Sequence, residues 1–178
     1  MKGEEKQVSQ AVEKLGSDLE KNESVEYETL VKKATDGSLS LLKFLGMDEV
    51  RLETVYARAY RLYNTGKYKE ASQIFRYLIA INPVEIKYFL GLAACCHLLK
   101  DYKAAVEVYL ICDLLDSESP IPDFHASDCY LQMKDKVSAL ITLKMAIKKS
   151  GEKPEYQVLK SRALLTVDTL KKELKMTD

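Results

Sequence analysis

The apolar and polar positions of the chain repeat with a period of 34 residues. The segments 52–85, 86–119 and 120–153 align without a gap. In each segment a small residue is followed four positions later by a large apolar one; the pairs are Ala71 and Phe75, Ala105 and Tyr109, and Ala139 and Leu143. A fixed period of this length predicts a stack of helical hairpins, in which each unit contacts only its neighbours.

A small residue at position 20, a large one at 24 and proline at 32 form the tetratricopeptide pattern of two antiparallel helices per repeat. The first repeat is the clearest: Ala71 is small where the two helices cross, and Pro83 ends the second helix. The second repeat has Ser117 where proline would stand, and the third lacks the glycine and tyrosine of the turn. The predicted fold is all-α, a tetratricopeptide superhelix of three repeats with an N-terminal helix and a C-terminal capping helix.

Both flanks are predicted to protect the apolar ends of this stack. Residues 1–38 form an acidic segment that we expect to be partly helical or mobile. Residues 39–51 predict a short apolar helix, either an amino-terminal cap or a dimer contact, through Leu41, Leu42, Phe44 and Leu45. Asp48 is a candidate N-cap. Within 154–178, a helix from Tyr156 to Met176 should cap the last repeat with Val158, Leu159, Ala163, Leu164, Val167 and Leu170.

Composition restricts the possible partners. The 178 residues include 27 basic and 27 acidic side chains, so no positive field favours nucleic acid. The net charge of zero results from an acidic amino-terminal part and a basic carboxyl-terminal part that balance each other. The charged amino terminus predicts no secretory signal, and no apolar run is long enough for a membrane span. The cysteines at 95, 96, 112 and 129 lack metal-site spacing. We therefore expect buried thiols, a cytoplasmic protein, and neither metal nor cofactor.

The first helix of a tetratricopeptide unit presents positions 2, 5, 9 and 12 to the concave groove, an assignment taken from the resemblance to known repeats. In the first repeat positions 5, 9 and 12 hold Tyr56, Tyr60 and Tyr63, a stripe that suits a peptide-binding wall. The later repeats add Lys87, Leu90, Ala94, His97, Ile121, Phe124, Asp128 and Leu131. This mostly apolar groove predicts an extended apolar peptide as ligand. The alternative is that the tyrosines pack on the amino-terminal helix.

Catalysis is not expected. Cys96 and His97 are adjacent, but neighbours on a helix point about 100° apart, so adjacency does not place a base on a thiol. His125 would be a distant base. The sequence has no glycine-rich phosphate loop, nucleophile elbow or metal-spaced histidine pair. We expect His97 at the edge of the groove and His125 in helix packing.

Three stretches resemble the class II chaperones of bacterial type III secretion, the LcrH/SycD and IpgC group. The first runs from Leu52 to Tyr68, the second is Tyr88-Phe89-Leu90-Gly91-Leu92-Ala93-Ala94-Cys95, and the third is Phe124-His125-Ala126-Ser127-Asp128-Cys129-Tyr130-Leu131-Gln132. Phe-Leu-Gly-Leu before a cysteine and Phe-His-Ala before a cysteine are not part of the generic repeat. The likeness covers residues 39–174.

This resemblance implies a cytoplasmic chaperone that binds two hydrophobic translocator proteins before secretion and keeps them soluble and apart. An extended translocator segment with apolar and proline residues would lie in the concave groove, against Tyr56, Tyr60, Tyr63, Tyr88, Leu90 and Phe124. The resemblance also implies a homodimer formed through the amino-terminal helix. A general tetratricopeptide scaffold that joins two other proteins remains the alternative.

Overall fold

All regular secondary structure in the described part of the chain is helical. The structure is a computed structural model that describes Gly46 and residues 48–174. Within that part the helices are α1 (Glu49–Asn64), α2 (Tyr68–Ile81), α3 (Ile86–Leu98), α4 (Tyr102–Leu115), α5 (Ile121–Gln132), α6 (Lys136–Ser150), a short 3₁₀ helix (Pro154–Tyr156) and α7 (Gln157–Glu173). The all-α prediction is confirmed. The segment 1–38 and the predicted dimer residues Leu41, Leu42, Phe44 and Leu45 lie outside the described residues.

Helices pack in chain order as three hairpins, α1 with α2, α3 with α4, and α5 with α6. Each helix packs mainly against its neighbours in sequence, and α1 also contacts α3. The small residues of the repeat, Ala71, Ala105 and Ala139, are fully buried on the second helix of each hairpin. A larger side chain would separate the two helices there, which is why the repeat keeps this position small.

The same left-handed turn joins the two helices of every hairpin. Gly66, Lys100 and Lys134 occupy the same repeat position, and their φ angles are 78°, 63° and 64°. In each turn the next amide donates to a carbonyl five residues back, as from Lys67 to Leu62 at 2.9 Å. Only the first repeat uses glycine, so the two lysines adopt a backbone that costs a side-chain-bearing residue about 1 kcal/mol.

Aspartate caps three helices of the stack. Asp48 accepts a hydrogen bond from the Arg51 amide at 2.8 Å, as the sequence predicts. Asp101 and Asp135 accept equivalent bonds at 3.2 and 3.0 Å. Lys67 holds the matching place before α2 and makes no side-chain cap. The first turn of α2 therefore has one more backbone amide without a hydrogen-bond acceptor than the first turns of α4 and α6.

A partly buried ion triad ties the second repeat to the third. Lys149 of α6 forms an ion pair with Asp113 of α4, and its Nζ lies 2.8 Å from Oδ2 of Asp123 of α5. Asp123 is only 3% exposed, and burial raises the pKa of its carboxyl despite the nearby ammonium. Burial also opposes the charge on Lys149, but hydrogen bonds to both aspartates outweigh that effect and raise its pKa. The triad holds three helices together through charge as well as apolar contact.

Helix α7 covers the apolar end of the third hairpin. Ala163, Val167 and Leu170 are buried with residues of α5 and α6 in the second of two core clusters. Two predictions for this helix are wrong, since Val158 is 74% exposed and Leu164 is 44% exposed. Both residues lie outside the buried face formed by Ala163, Val167 and Leu170, because a helix that covers a single hairpin buries only a narrow face.

Candidate peptide-binding groove

Two adjoining cavities run along the first helices of the hairpins. The first cavity, about 230 Å³, is lined by Tyr56, Tyr60, Tyr63, Phe75, Lys87, Leu90, Gly91 and Ala94. The second cavity, about 460 Å³, is lined by Tyr63, Leu90, Ala94, His97, Leu98, Tyr109, Ile121, His125 and Asp128. Three lining residues are shared by the two cavities. We call the continuous depression that they form the groove.

The predicted tyrosine stripe forms one wall of the first cavity. The rings of Tyr56 and Tyr60 stack at 6.3 Å, and those of Tyr60 and Tyr63 at 6.4 Å, each pair inclined by 24°. Tyr56 also meets Phe75 edge-on at 6.1 Å, and Tyr63 meets Tyr68 edge-on at 5.6 Å. These contacts hold the rings in place and leave Tyr60 52% exposed. Such fixed aromatic surface binds a partner at little cost in side-chain entropy.

Lys87 is the only cationic residue among those that line the two cavities. Its Nζ lies 2.8 Å from Oε2 of Glu53 and 4.9 Å from the centre of the Tyr56 ring. The hydrogen bond to Glu53 raises the pKa of Lys87. The ammonium is therefore fixed beside the tyrosine wall by an ion pair and a cation–π contact.

Gly91 lets α3 approach α2 closely at the floor of the first cavity. A Cβ at this position would lie 2.4 Å from Cζ and 2.5 Å from Cε1 of Phe75. The Phe75 ring is buried and occupies the space that a side chain would take. The position of the Phe75 ring thus explains why the Phe-Leu-Gly-Leu stretch has glycine at position 91.

Histidine and aspartate form a polar cluster in the second cavity. His125 stacks on Tyr109 with ring centres 5.7 Å apart and 20° between the planes. His97 of α3 lies edge-on to Tyr102 at 5.8 Å. Burial lowers the pKa of His125 and raises the pKa of Asp128, which follows it by one turn of α5. Both shifts favour the uncharged form and reflect a wall that is shielded from water.

Comparisons with known proteins identify relatives of this chain. The tetratricopeptide-repeat family model matches residues 52–83 and 86–116. The low calcium response locus protein H of Yersinia pseudotuberculosis is 31% identical over 140 residues, which cover 78% of this chain and 82% of that protein. The chain belongs to the LcrH/SycD family of type III secretion chaperones.

Two solved structures of LcrH/SycD family chaperones share this fold. The type III secretion translocator chaperone SycD of Yersinia enterocolitica is 29% identical, with a TM-score of 0.69, over 73% of this chain and 90% of SycD. PcrH in complex with the chaperone binding region of PopD is 31% identical, with a TM-score of 0.69, over 72% of this chain and 96% of PcrH. PcrH comes from Pseudomonas aeruginosa. The superhelix of this family member is thus the fold of these chaperones.

The structure brings most predicted groove residues of this LcrH/SycD chain together and leaves three outside. The residues that line a cavity are Tyr56, Tyr60, Tyr63, Lys87, Leu90, Ala94, His97, Ile121 and Asp128. Tyr88 is only 2% exposed and packs among core residues. Phe124 is buried and Leu131 is half-buried, both against the second core cluster, where α7 covers them. Contrary to the expectation, these three line neither cavity, because each packs against a core cluster.

Tyr109 and His125 complete the groove of this family member and were not predicted there. Tyr109 belongs to α4, a second helix of a hairpin, whereas the repeat pattern assigns the groove to first helices. The same repeat position holds the apolar residues Phe75 and Leu143 in the other two repeats, so the hydroxyl of Tyr109 is the sequence signal for its place in the groove. His125 was expected in helix packing, and it both packs on Tyr109 and lines the second cavity. Neither contact is visible from one helix alone.

The cysteines of this LcrH/SycD chain lie in the core. Cys95, Cys96, Cys112 and Cys129 are all free and buried. Burial raises the pKa of the Cys95, Cys112 and Cys129 thiols to about 12 and also raises that of Cys96. The thiolate form is disfavoured at neutral pH. In the described part of the chain no group of His, Cys, Asp and Glu is arranged to hold a metal, and no helix is long and apolar enough to cross a bilayer.

Proposed function

We propose that this chain is a cytoplasmic chaperone of type III secretion that binds an extended apolar segment of a hydrophobic translocator in the groove. Bound in this way, translocators stay soluble and apart until secretion. The observation that carries the proposal is a continuous apolar groove in a chain of the LcrH/SycD family. SycD has been solved with a peptide of the translocator YopD, and PcrH with the chaperone binding regions of PopD and PopB.

The groove suits a segment with two or more apolar side chains at separate places. The two cavities are distinct spaces joined at Tyr63, Leu90 and Ala94. Each apolar side chain buried from water contributes about 1.5–3 kcal/mol, and ordering the extended segment offsets part of the sum. The expected affinity is moderate, which agrees with release of the client at secretion.

The proposal needs no catalytic step, and we propose that the chain is not an enzyme. The shielded thiols and the family membership support this view. We also propose a homodimer formed through the apolar residues Leu41, Leu42, Phe44 and Leu45, because SycD has been crystallised in an alternative dimer. Light scattering on the full chain should show a dimer that Leu42→Glu converts to monomer.

Co-expression with a hydrophobic translocator of the same secretion system tests the groove. The translocator should remain in the soluble fraction and co-purify with the wild-type chain. Tyr63→Ala should weaken binding of the translocator segment by about 1–3 kcal/mol, since Tyr63 lines both cavities. Titration calorimetry with the isolated segment measures this loss.

Tyr77→Ala is the matched control. Tyr77 is a tyrosine of α2 that is 49% exposed and lines neither cavity, so its loss should leave affinity unchanged. Equal affinity of Tyr63→Ala and the wild type would refute the groove assignment. Co-purification with proteins that have no membrane-spanning segments, and never with a translocator, would favour the scaffold function instead.

A further inference from the structure

Asp128 is the only acidic residue among those that line the two cavities. It lies half-buried on α5, one turn after His125 and in the same cavity as His97 of α3. Among the residues that the structure describes, no group donates a hydrogen bond to its carboxylate, and no ion pair reaches it. The carboxylate therefore lines the groove without a hydrogen-bond or ion-pair partner among the described residues.

Arg162, a cation of the described chain that acts on Asp128, forms no ion pair with it. The guanidinium carbon of Arg162 on α7 lies 5.7 Å from the centre of the Phe124 ring, and Arg162 acts on Asp128 only at longer range. The two histidines also act on Asp128 through their charge, but burial dominates and raises its pKa. A peptide laid over the second cavity would remove the remaining water from this carboxylate. That step is unfavourable unless the peptide supplies a compensating donor.

We propose that Asp128 determines client specificity by pairing with a lysine or arginine side chain of the bound segment, next to the apolar side chain that fills the second cavity. This inference rests on the proposed function. A cation replaces the lost hydration of a carboxylate more fully than a neutral donor does. The first cavity offers no such partner, because its lining contains no carboxylate and its one ammonium, on Lys87, is already paired with Glu53. The place of Asp128 in the second cavity thereby fixes the register of the client.

Peptide selection on the intact chain tests this pairing and requires no identified client. A displayed library of random extended peptides is selected against the wild type, Asp128→Asn, Asp128→Glu and Asp168→Asn. Asp168 is the matched control, because it is exposed on α7 and lines neither cavity. Wild type, Asp128→Glu and Asp168→Asn should enrich a basic residue at a fixed distance from an apolar one. Asp128→Asn should lose that preference.

A double-mutant cycle then measures the pair directly. For one selected peptide, Asp128→Asn should reduce affinity about tenfold, and replacing the peptide lysine with norleucine should have a similar effect. The two changes together should reduce affinity little further, because each removes the same interaction. Circular dichroism of each variant confirms that it remains folded.

The possible outcomes separate this inference from the proposed function. If no variant selects any peptide, the groove itself is not the binding site. If peptides are selected without a basic residue, or Asp128→Asn keeps the basic preference, the pairing is refuted while groove binding stands. Equal weakening of all peptides by Asp128→Asn, with no effect of norleucine, would show that the carboxylate accepts backbone amides and would also overturn the proposal.

Discussion

Replacing Gly91 with alanine should destabilise the chaperone, although alanine is the better helix former. The new Cβ would lie 2.4–2.8 Å from three atoms of the Phe75 ring. Carbon atoms in contact normally lie about 3.5–4.0 Å apart, so the ring or the helix must move by about 1 Å. The ring is buried, and Tyr56 meets it edge-on, so it cannot move without disturbing the tyrosine wall.

The magnitude follows from two opposing effects. Alanine in place of a helical glycine gains up to about 1 kcal/mol from reduced chain entropy. Forcing an extra carbon into a packed core costs about 1–3 kcal/mol. The contacts at Gly91 are short enough for the steric cost to dominate, so we expect a net loss of about 1–2 kcal/mol. The melting temperature should fall by about 2–8 °C.

Thermal unfolding followed by circular dichroism measures the loss, and a compensating variant identifies its cause. Phe75→Leu removes the ring atoms that the new Cβ would strike. In the background of Phe75→Leu, Gly91→Ala should therefore cost much less than it does in the wild type, with a coupling of about 1 kcal/mol. Client binding by Gly91→Ala should also weaken, because both Gly91 and Phe75 line the first cavity.

Two results would refute this reasoning. A higher melting temperature for Gly91→Ala would show that helix propensity outweighs packing and that the ring moves at little cost. Strictly additive effects of Gly91→Ala and Phe75→Leu would show that the two positions do not compete for the same space.

Three further predictions concern stability, each measured by urea unfolding. Lys67→Asp should stabilise by about 1 kcal/mol, because it supplies the cap that Asp101 and Asp135 provide in the other repeats; an unchanged midpoint would contradict this. Lys134→Gly should stabilise the protein by about 0.5 kcal/mol, because Lys134 has a left-handed φ of 64° that glycine adopts without strain. A loss of stability would show that the lysine backbone is not strained there. Lys149→Met should cost about 3 kcal/mol because it leaves Asp123 buried beside no cation. Since the pKa of Lys149 is raised, its contribution to the free energy of unfolding is complete below its ordinary pKa of 10.5 and is lost as pH rises through the higher pKa of the folded state. If the wild type stays as much more stable than Lys149→Met in strong alkali as it is at neutral pH, the triad is contradicted.

The sequence alone predicted the architecture because its signals are local and repeated. The small residue that starts each pair, such as Ala71, marks a helix crossing, and Asp48 caps α1 as predicted. Even the turn is recognisable from the alignment, since Lys100 stands where Gly66 does and adopts the same left-handed backbone. The tyrosine stripe on α1 was also readable, because spacing on one helix determines which side chains share a face.

Which side chains reach the groove was decided only by the tertiary structure. Tyr88 and Leu90 are two positions apart on α3, yet the first is buried in the core and the second lines both cavities. Tyr109 reaches the groove from the second helix of a hairpin, and Phe124 is covered by α7. The spacing of residues along a helix determines the direction in which each side chain points from the helix axis. The angle and distance of the neighbouring helices determine whether that side chain contacts the core or the groove. The sequence therefore determined the repeat and its faces, and packing between repeats determined the site.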